Sequence, residues 1–184
     1  NLLHLDLRPS NIIVKFSPLK IKLLDFGLSH LIEYTRIKKE SDIISVFSYI
    51  SPEQSGIMKR ASDERSDLYS LGVIFYQLLT GEAPFKANTV GDFLHQHMAK
   101  LATPPKKLNP EAPEVLEQIV LKLLSKEPES RYQTAKGLLA DLEAFREGNT
   151  SFVIGKHDRL KKLLFRTRLV GRQEELNRLK EAFN

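Results

Sequence analysis

Two short runs hold residue types that could do chemistry together: His4-Leu5-Asp6-Leu7-Arg8-Pro9-Ser10-Asn11 and Asp25-Phe26-Gly27. They set an acid, an amide and a second acid in the order that phosphoryl transfer requires. When a phosphoryl group leaves a nucleotide, little covalent chemistry falls to the protein, which must orient a hydroxyl nucleophile and hold magnesium against the phosphates. Asp6 is then the residue to accept the hydroxyl's hydrogen bond and proton. Asn11 and Asp25 supply hard oxygen ligands, and magnesium normally takes only one or two carboxylates besides phosphate oxygens and water. Neither run is specific alone, because Asp-Phe-Gly is common in ordinary turns and an isolated His-x-Asp is more often a hydrogen-bonded turn.

The elements around these residues give them positions. Asn11 to Lys15 and Ile21 to Leu24 are short apolar and β-branched runs, and Phe16-Ser17-Pro18-Leu19-Lys20 between them reads as the turn of a hairpin. Asn11 then starts one strand and Asp25 follows the other, so the hairpin brings both ligands to one end of a small sheet. Ser29 to Ser51 shows no sustained period and reads as a long functional loop. Helices follow. Leu68 to Leu79 is apolar almost all round, with Asp63 as N-cap and Gly81 as C-terminal stop, as expected of a helix buried in a helical lobe. Val90 to Lys100 is a second helix. Pro113, at a first helical position, opens another whose stripe is Leu116, Ile119, Val120, Leu123 and Leu124. Thr134 caps a last one carrying Leu138, Leu139, Leu142 and Phe145. Gly148-Asn149-Thr150-Ser151 marks a domain boundary, and Gln173 to Phe183 is again helical.

At 184 residues with 41% hydrophobic residues, the chain has ample material for one packed core. No run approaches the roughly 20 apolar residues of a membrane span, and the first residues lack the order of a signal peptide. The absence of cysteine excludes disulfides and thiolate metal sites and fits a reducing compartment, so a cytoplasmic setting is expected. The net charge of +5 does not point to nucleic acid. Residues 151–184 carry nine Lys and Arg against four acids, which accounts for all of it, and a solvated basic linker explains such a stretch better than a phosphate- or lipid-binding surface. His95 and His97 lie two apart on a helix, so they face different ways and do not make a metal site.

Taken together, the motifs resemble the catalytic loop and Asp-Phe-Gly segment of eukaryotic-type protein kinases. The likeness continues in order. Tyr49-Ile50-Ser51-Pro52-Glu53-Gln54 is similar to the end of a kinase activation segment, with Ser51 where Ala is commoner. Asp67-Leu68-Tyr69-Ser70-Leu71-Gly72 resembles the start of the buried central helix, and Leu79 to Phe85 resembles its exit. Arg131-Tyr132-Gln133-Thr134 resembles the segment whose arginine pairs with the activation-segment glutamate. The resemblance implies a mainly α fold, the C-terminal lobe of a kinase with a small β-hairpin and no N-terminal lobe. It further implies serine/threonine transfer from ATP with Mg2+, in signal transduction. Asp6 and Arg8 are its catalytic residues, Arg8, Asn11 and Asp25 bind the nucleotide, and Asn11 and Asp25 hold the metal. His4, Gly27, Glu53, Asp67 and Arg131 are structural supports: Asp67 holds the catalytic-loop backbone, and Glu53 and Arg131 form a buried ion pair.

Departures from the family pattern bear on control. Leu5 stands where many kinases carry an arginine that pairs with a phosphorylated loop, Arg8 replaces the usual lysine, and Ser45-Val46-Phe47-Ser48 lacks the usual Gly-Thr. Pro9 is similar to serine/threonine rather than tyrosine kinases. No glycine-rich loop, strand lysine or helix glutamate precedes the catalytic loop, so the chain alone is expected to be inactive. Phe152-Val153-Ile154-Gly155-Lys156-His157-Asp158, followed by Leu169-Val170-Gly171-Arg172, resembles the junction of large bacterial signalling kinases in which a P-loop ATPase domain follows. The expected division is a kinase lobe over 1–146, a basic linker over 147–168 and the start of an ATPase domain over 169–184. Expected partners are protein substrates, the missing N-lobe and the downstream ATPase domain, with no nucleic acid and no membrane segment. The alternatives are a pseudokinase scaffold that regulates the ATPase domain and a lobe that serves only as its sensor.

Overall fold

The structure is a computed structural model, and it describes residues 2–26, 46–57 and 60–158. Gly27, most of the loop expected over 29–51 and the helix expected over 173–183 lie outside the described residues.

The hairpin consists of β1 (Ile12–Phe16) and β2 (Leu19–Leu23), antiparallel with Val14 opposite Ile21 and Phe16 opposite Leu19. The turn is tighter than the sequence suggests. Phe16 and Leu19 belong to the strands, and only Ser17 and Pro18, joined by a cis peptide bond, make the reversal. Cross-strand partners share a face of a sheet, so Ile12, Val14, Phe16, Leu19, Ile21 and Leu23 form one apolar face, while Ile13, Lys15, Lys20 and Lys22 form the other.

The remainder is helical: α1 (Glu64–Thr80), α2 (Val90–Ala99), the single turn α3 (Pro105–Leu108), α4 (Glu114–Leu123) and α5 (Ala135–Arg146). Local chemistry sets their ends. Asp63 accepts the Arg65 N–H, and its own N–H is taken by Ser66, a reciprocal capping box. Gly81 closes α1 at φ +80, a left-handed conformation that glycine adopts without strain. Thr89 and Thr134 cap α2 and α5 through their hydroxyls. Pro113 is the cap of α4 rather than its first residue. No helix among the described residues is long and apolar enough to cross a membrane.

Helix α1 passes between two apolar clusters. Tyr69, Val73 and Tyr76 pack with Phe47, Ile50, Phe85, Phe93, Val120 and Leu124 on one side, and Leu68 packs with Val115, Ile119, Leu123, Tyr132 and Leu138 on the other. Its closest approach to α4 is at Gly72, where a Cβ would stand 2.6 Å from that of Leu123. After α5, Gly148 turns the chain at φ +85. Residues that the sequence assigns to the linker then return to the lobe, with Phe152 and Ile154 packed against the second cluster.

Candidate active site

A short 3-10 turn, Pro9–Asn11, leads from the His4 loop into β1 and leaves Asn11 only 4% exposed. The Asn11 side-chain amide donates to the Asp6 carbonyl (2.9 Å) and to the Asp6 carboxylate (2.8 Å). Arg8 Nε lies 3.2 Å from the other Asp6 carboxylate oxygen, so Asp6 is held by an amide on one side and a guanidinium on the other. Asn11 spends its NH2 group on Asp6, and these bonds leave its carbonyl oxygen as a donor for a hard cation. The Leu24 N–H donates to the Asn11 carbonyl at 2.9 Å, which ties the exit of β2 to the start of β1. Asp25 follows directly and is exposed. Acid and amide are thereby in direct contact, and one backbone bond, from Leu24 to Asn11, brings the second acid to the same end of the hairpin.

The loop that carries Asp6 is strained and held from outside. Leu5 has φ +60 and Asp25 has φ +56, left-handed values that cost a residue with a side chain roughly 1–3 kcal/mol each. Asp67, in the first turn of α1, accepts the N–H groups of Leu5 (2.7 Å) and His4 (2.9 Å). Gln54 donates to the Leu5 carbonyl at 2.7 Å. The Leu5 backbone is gripped at both its polar groups, so the missing arginine side chain is not what sets this loop. His4 is 4% exposed, stacks at a tilt on Phe26 with ring centroids 4.7 Å apart, and offers Nδ1 to the Asp6 N–H at 3.4 Å.

A second cluster braces the segment that faces this loop. Arg131 and Glu53 pair through two bonds of 2.7 and 2.9 Å, with side chains 0% and 2% exposed. The remaining Arg131 donors reach the carbonyls of Ser125 (2.7 Å), Lys126 (2.8 Å) and Arg65 (3.1 Å), and the guanidinium lies 4.8 Å from the centroid of the Tyr69 ring. Ser66 donates to Glu53 at 2.7 Å. Burial would raise the Glu53 carboxyl, but the Arg131 bonds and charge, helped by Ser66, outweigh it and hold the group below its ordinary range. A buried pair of this kind adds little net stability, whereas removing one partner costs about 3–5 kcal/mol.

Of the residues singled out by sequence, Asp6, Arg8 and Asn11 are in direct contact, Asp25 is one residue from the Leu24 bridge, and His4 and Asp67 hold the same loop. Glu53 and Arg131 stand apart, and are connected to it through Gln54. Gly27 lies outside the described residues. Gln54 and Ser66 were missed. Gln54 had a legible signal, since Ser51-x-x-Gln54 is a capping box, and here the Gln54 side-chain oxygen takes the Ser51 N–H (3.0 Å) and hydroxyl (2.9 Å) while its nitrogen reaches Leu5.

A helical lobe with one two-stranded hairpin, and with a His-x-Asp loop and the Asp25-Phe26 pair at the hairpin's root, has the build of a kinase lobe. The chain belongs to the protein kinase domain family, whose model matches residues 1–141. Among curated relatives, it is 34% identical over 146 residues to a protein named "probable serine/threonine-protein kinase" from Clostridium perfringens, covering 79% of this chain and 21% of that one. It is 35% identical over 149 residues to the serine/threonine-protein kinase PknB of Mycolicibacterium smegmatis, covering 80% of this chain and 23% of that one. A hybrid signal transduction histidine kinase of Dictyostelium discoideum is 37% identical over 159 residues, which take in 72% of this chain and 5% of that protein. The chain thus spans less than a quarter of the length of each of these relatives.

Proposed function

We propose that this chain is the catalytic-loop lobe of a serine/threonine protein kinase that transfers phosphate from ATP to protein hydroxyls in signalling. The observation that carries the reading is the contact of Asn11 and Arg8 with Asp6, one backbone bridge away from Asp25. Asp6 accepts the proton of the substrate hydroxyl, and its two neighbours fix the direction of the carboxylate. Arg8 also offers a planar cation to the phosphate, where an ammonium would act as a point charge. The Asn11 side-chain oxygen Oδ1 and the Asp25 carboxylate would hold Mg2+, a donor set of the kind this ion favours. When bound, the ion would neutralise phosphate oxygens during transfer.

The lobe works as one wall of the nucleotide cleft. The apolar face of the hairpin supports this, because Val14, Phe16, Leu19, Ile21 and Leu23 are 40–82% exposed and would be covered by an N-terminal lobe. The chain alone should therefore transfer no phosphate. Residues 1–146 are the kinase lobe in this reading, and 169–184 begin an ATPase domain. The linker over 147–168 joins them, its first part applied to the lobe surface.

The test is Asp6→Asn in the kinase that contains this lobe together with its glycine-rich upper lobe. Radiolabel transfer should fall by about 10²–10⁴-fold with the circular dichroism spectrum unchanged. Transfer at the unsubstituted rate would remove Asp6 from the chemistry and leave a scaffold lobe.

A further inference from the structure

Residues 149–158 are not free chain. Asn149 N–H closes on the Ala144 carbonyl at 3.0 Å, Phe152 and Ile154 enter the second apolar cluster, and Ile154–His157 form a turn closed by the Asp158 N–H on the Gly155 carbonyl at 3.0 Å. Two carboxylates then clasp this segment to α5 in opposite directions. Asp141, on α5 and 1% exposed, accepts the Gly155 N–H at 2.6 Å and the Tyr132 hydroxyl at 2.5 Å. Asp158, on the returning segment, accepts the backbone N–H groups of Gln133 (2.6 Å) and Thr134 (2.9 Å) and the Thr134 hydroxyl (3.1 Å). Thr134 is the cap of α5, so a carboxylate from beyond the end of the helix satisfies donors at its beginning and sits at the favourable end of its dipole.

The surroundings are shaped for this. Gly137, in the first turn of α5, leaves no room for a Cβ, which would overlap the Asp158 carboxyl. Gly155 holds φ +75 directly over the Lys122 side chain, with 3.0 Å from a would-be Cβ to Lys122 Cε. From Asp158 an unbroken chain of contacts runs inward. The Gln133 backbone binds Asp158, while its side chain takes Arg65 at 3.0 Å and donates to the carbonyls of Pro128 (2.9 Å) and Arg131 (2.8 Å). Arg131 grips Glu53, and the neighbouring Gln54 holds the Leu5 carbonyl.

We propose that residues 149–158 are a strap that locks residues 131–134, and through Arg131 sets how firmly Glu53 and the segment over 50–55 are held. Asp158 is a positioning residue in this device, acting through Gln133 and Arg131 and touching neither Asp6 nor Glu53. The chain beyond residue 158 departs from a point wired to Glu53, so displacing the strap would loosen the brace behind the Asp6 loop. The inference rests on contacts within the lobe and does not depend on the assignment of Asp6.

The experiment is amide hydrogen exchange on the whole 184-residue chain with Asp158→Ala. Exchange at Gln133 and Thr134 should rise by about tenfold or more, the scale expected when charge-assisted bonds are lost. A smaller rise should appear over 50–55, while the hairpin and α2 keep their protection. Asp158→Asn, which keeps the shape and one acceptor oxygen, should give the same pattern at lower amplitude and guards against simple misfolding of the alanine variant. Unchanged exchange at 133–134 would overturn the proposal. So would a rise confined to 131–158, which would show a local cap with no reach to Glu53.

Discussion

His97 is fully buried in α2 with Tyr69, Phe85 and Phe93 around it, and its Nδ1 lies 2.9 Å from the Tyr69 hydroxyl. Burial pushes the Tyr69 phenol up, so it stays protonated beside the ring. Burial first, and the Lys126 charge second, push the His97 ring down to about 3; the backbone of Phe47 and Ser48 opposes this only in part. Lys126 itself, packed 4.3 Å from the Phe85 ring centroid, is pushed down to about 8 by burial and by Arg131. The sign follows from linkage. A free histidine titrates near 6.5, so between about pH 6.5 and 3 the unfolded chain binds a proton that the fold excludes, and stability falls as pH falls. Glu53 joins only below its ordinary range near 4.5, because its folded value is lowered. Urea unfolding between pH 7 and 4.5 should therefore show a loss of about 1.4 kcal/mol per unit once the pH is well below 6.5, and His97→Gln should flatten that slope by close to one proton. Equal slopes in both proteins would mean that His97 takes up no proton on unfolding.

The elements differ in how openly the sequence declares them. Asp63, Gly81, Thr89 and Thr134 are caps whose bonds are made within a few residues, so α1, α2 and α5 are legible from local spacing. The hairpin was legible in kind but not in its turn, because Phe16 and Leu19 face each other across the sheet and pairing overrides the loop-like look of Phe16 to Lys20. The strap reads in the sequence as linker. Gly148-Asn149-Thr150-Ser151 has the composition of one, and the bonds that hold Asp158 go to backbone donors 24 and 25 residues away, which no period can announce. In the candidate site, types and spacing single out Asp6, Asn11 and Asp25, but not that Asn11 aims its amide at Asp6. The packing of α1 on α4 yields an element-scale prediction. Gly72→Ala gains up to about 1 kcal/mol in helix propensity yet places a methyl 2.6 Å from Leu123 Cβ. Overpacking of a close-packed contact costs about 1–3 kcal/mol, so the urea midpoint should fall. A midpoint that rises would show that the two helices separate easily.

At the scale of the molecule, the described residues are tightly bonded at one end and exposed at the other. The Glu53, Arg131 and strap contacts gather on the helical side, while the hairpin presents six apolar residues on one face and three lysines on the other. A two-stranded sheet with an uncovered apolar face is marginal by itself. An apolar-surface dye should brighten on the folded chain, and replacing Val14 and Ile21 by threonine should reduce that signal with helicity unchanged. A dye signal that ignores these substitutions would place the accessible apolar surface elsewhere.

The grip of Asp67 on the Leu5 loop carries a consequence in time. Leu5 and Asp67 are 62 positions apart, and Glu53 and Arg131 are 78 apart. At ribosomal rates of about 5–20 residues per second, roughly 3–12 s pass between the making of Leu5 and of Asp67. During that interval the Leu5 and His4 N–H groups lack the carboxylate that accepts them in the folded lobe. The Asp6 loop is synthesised before its supports, and it can take its final shape only after the helices that brace it have emerged.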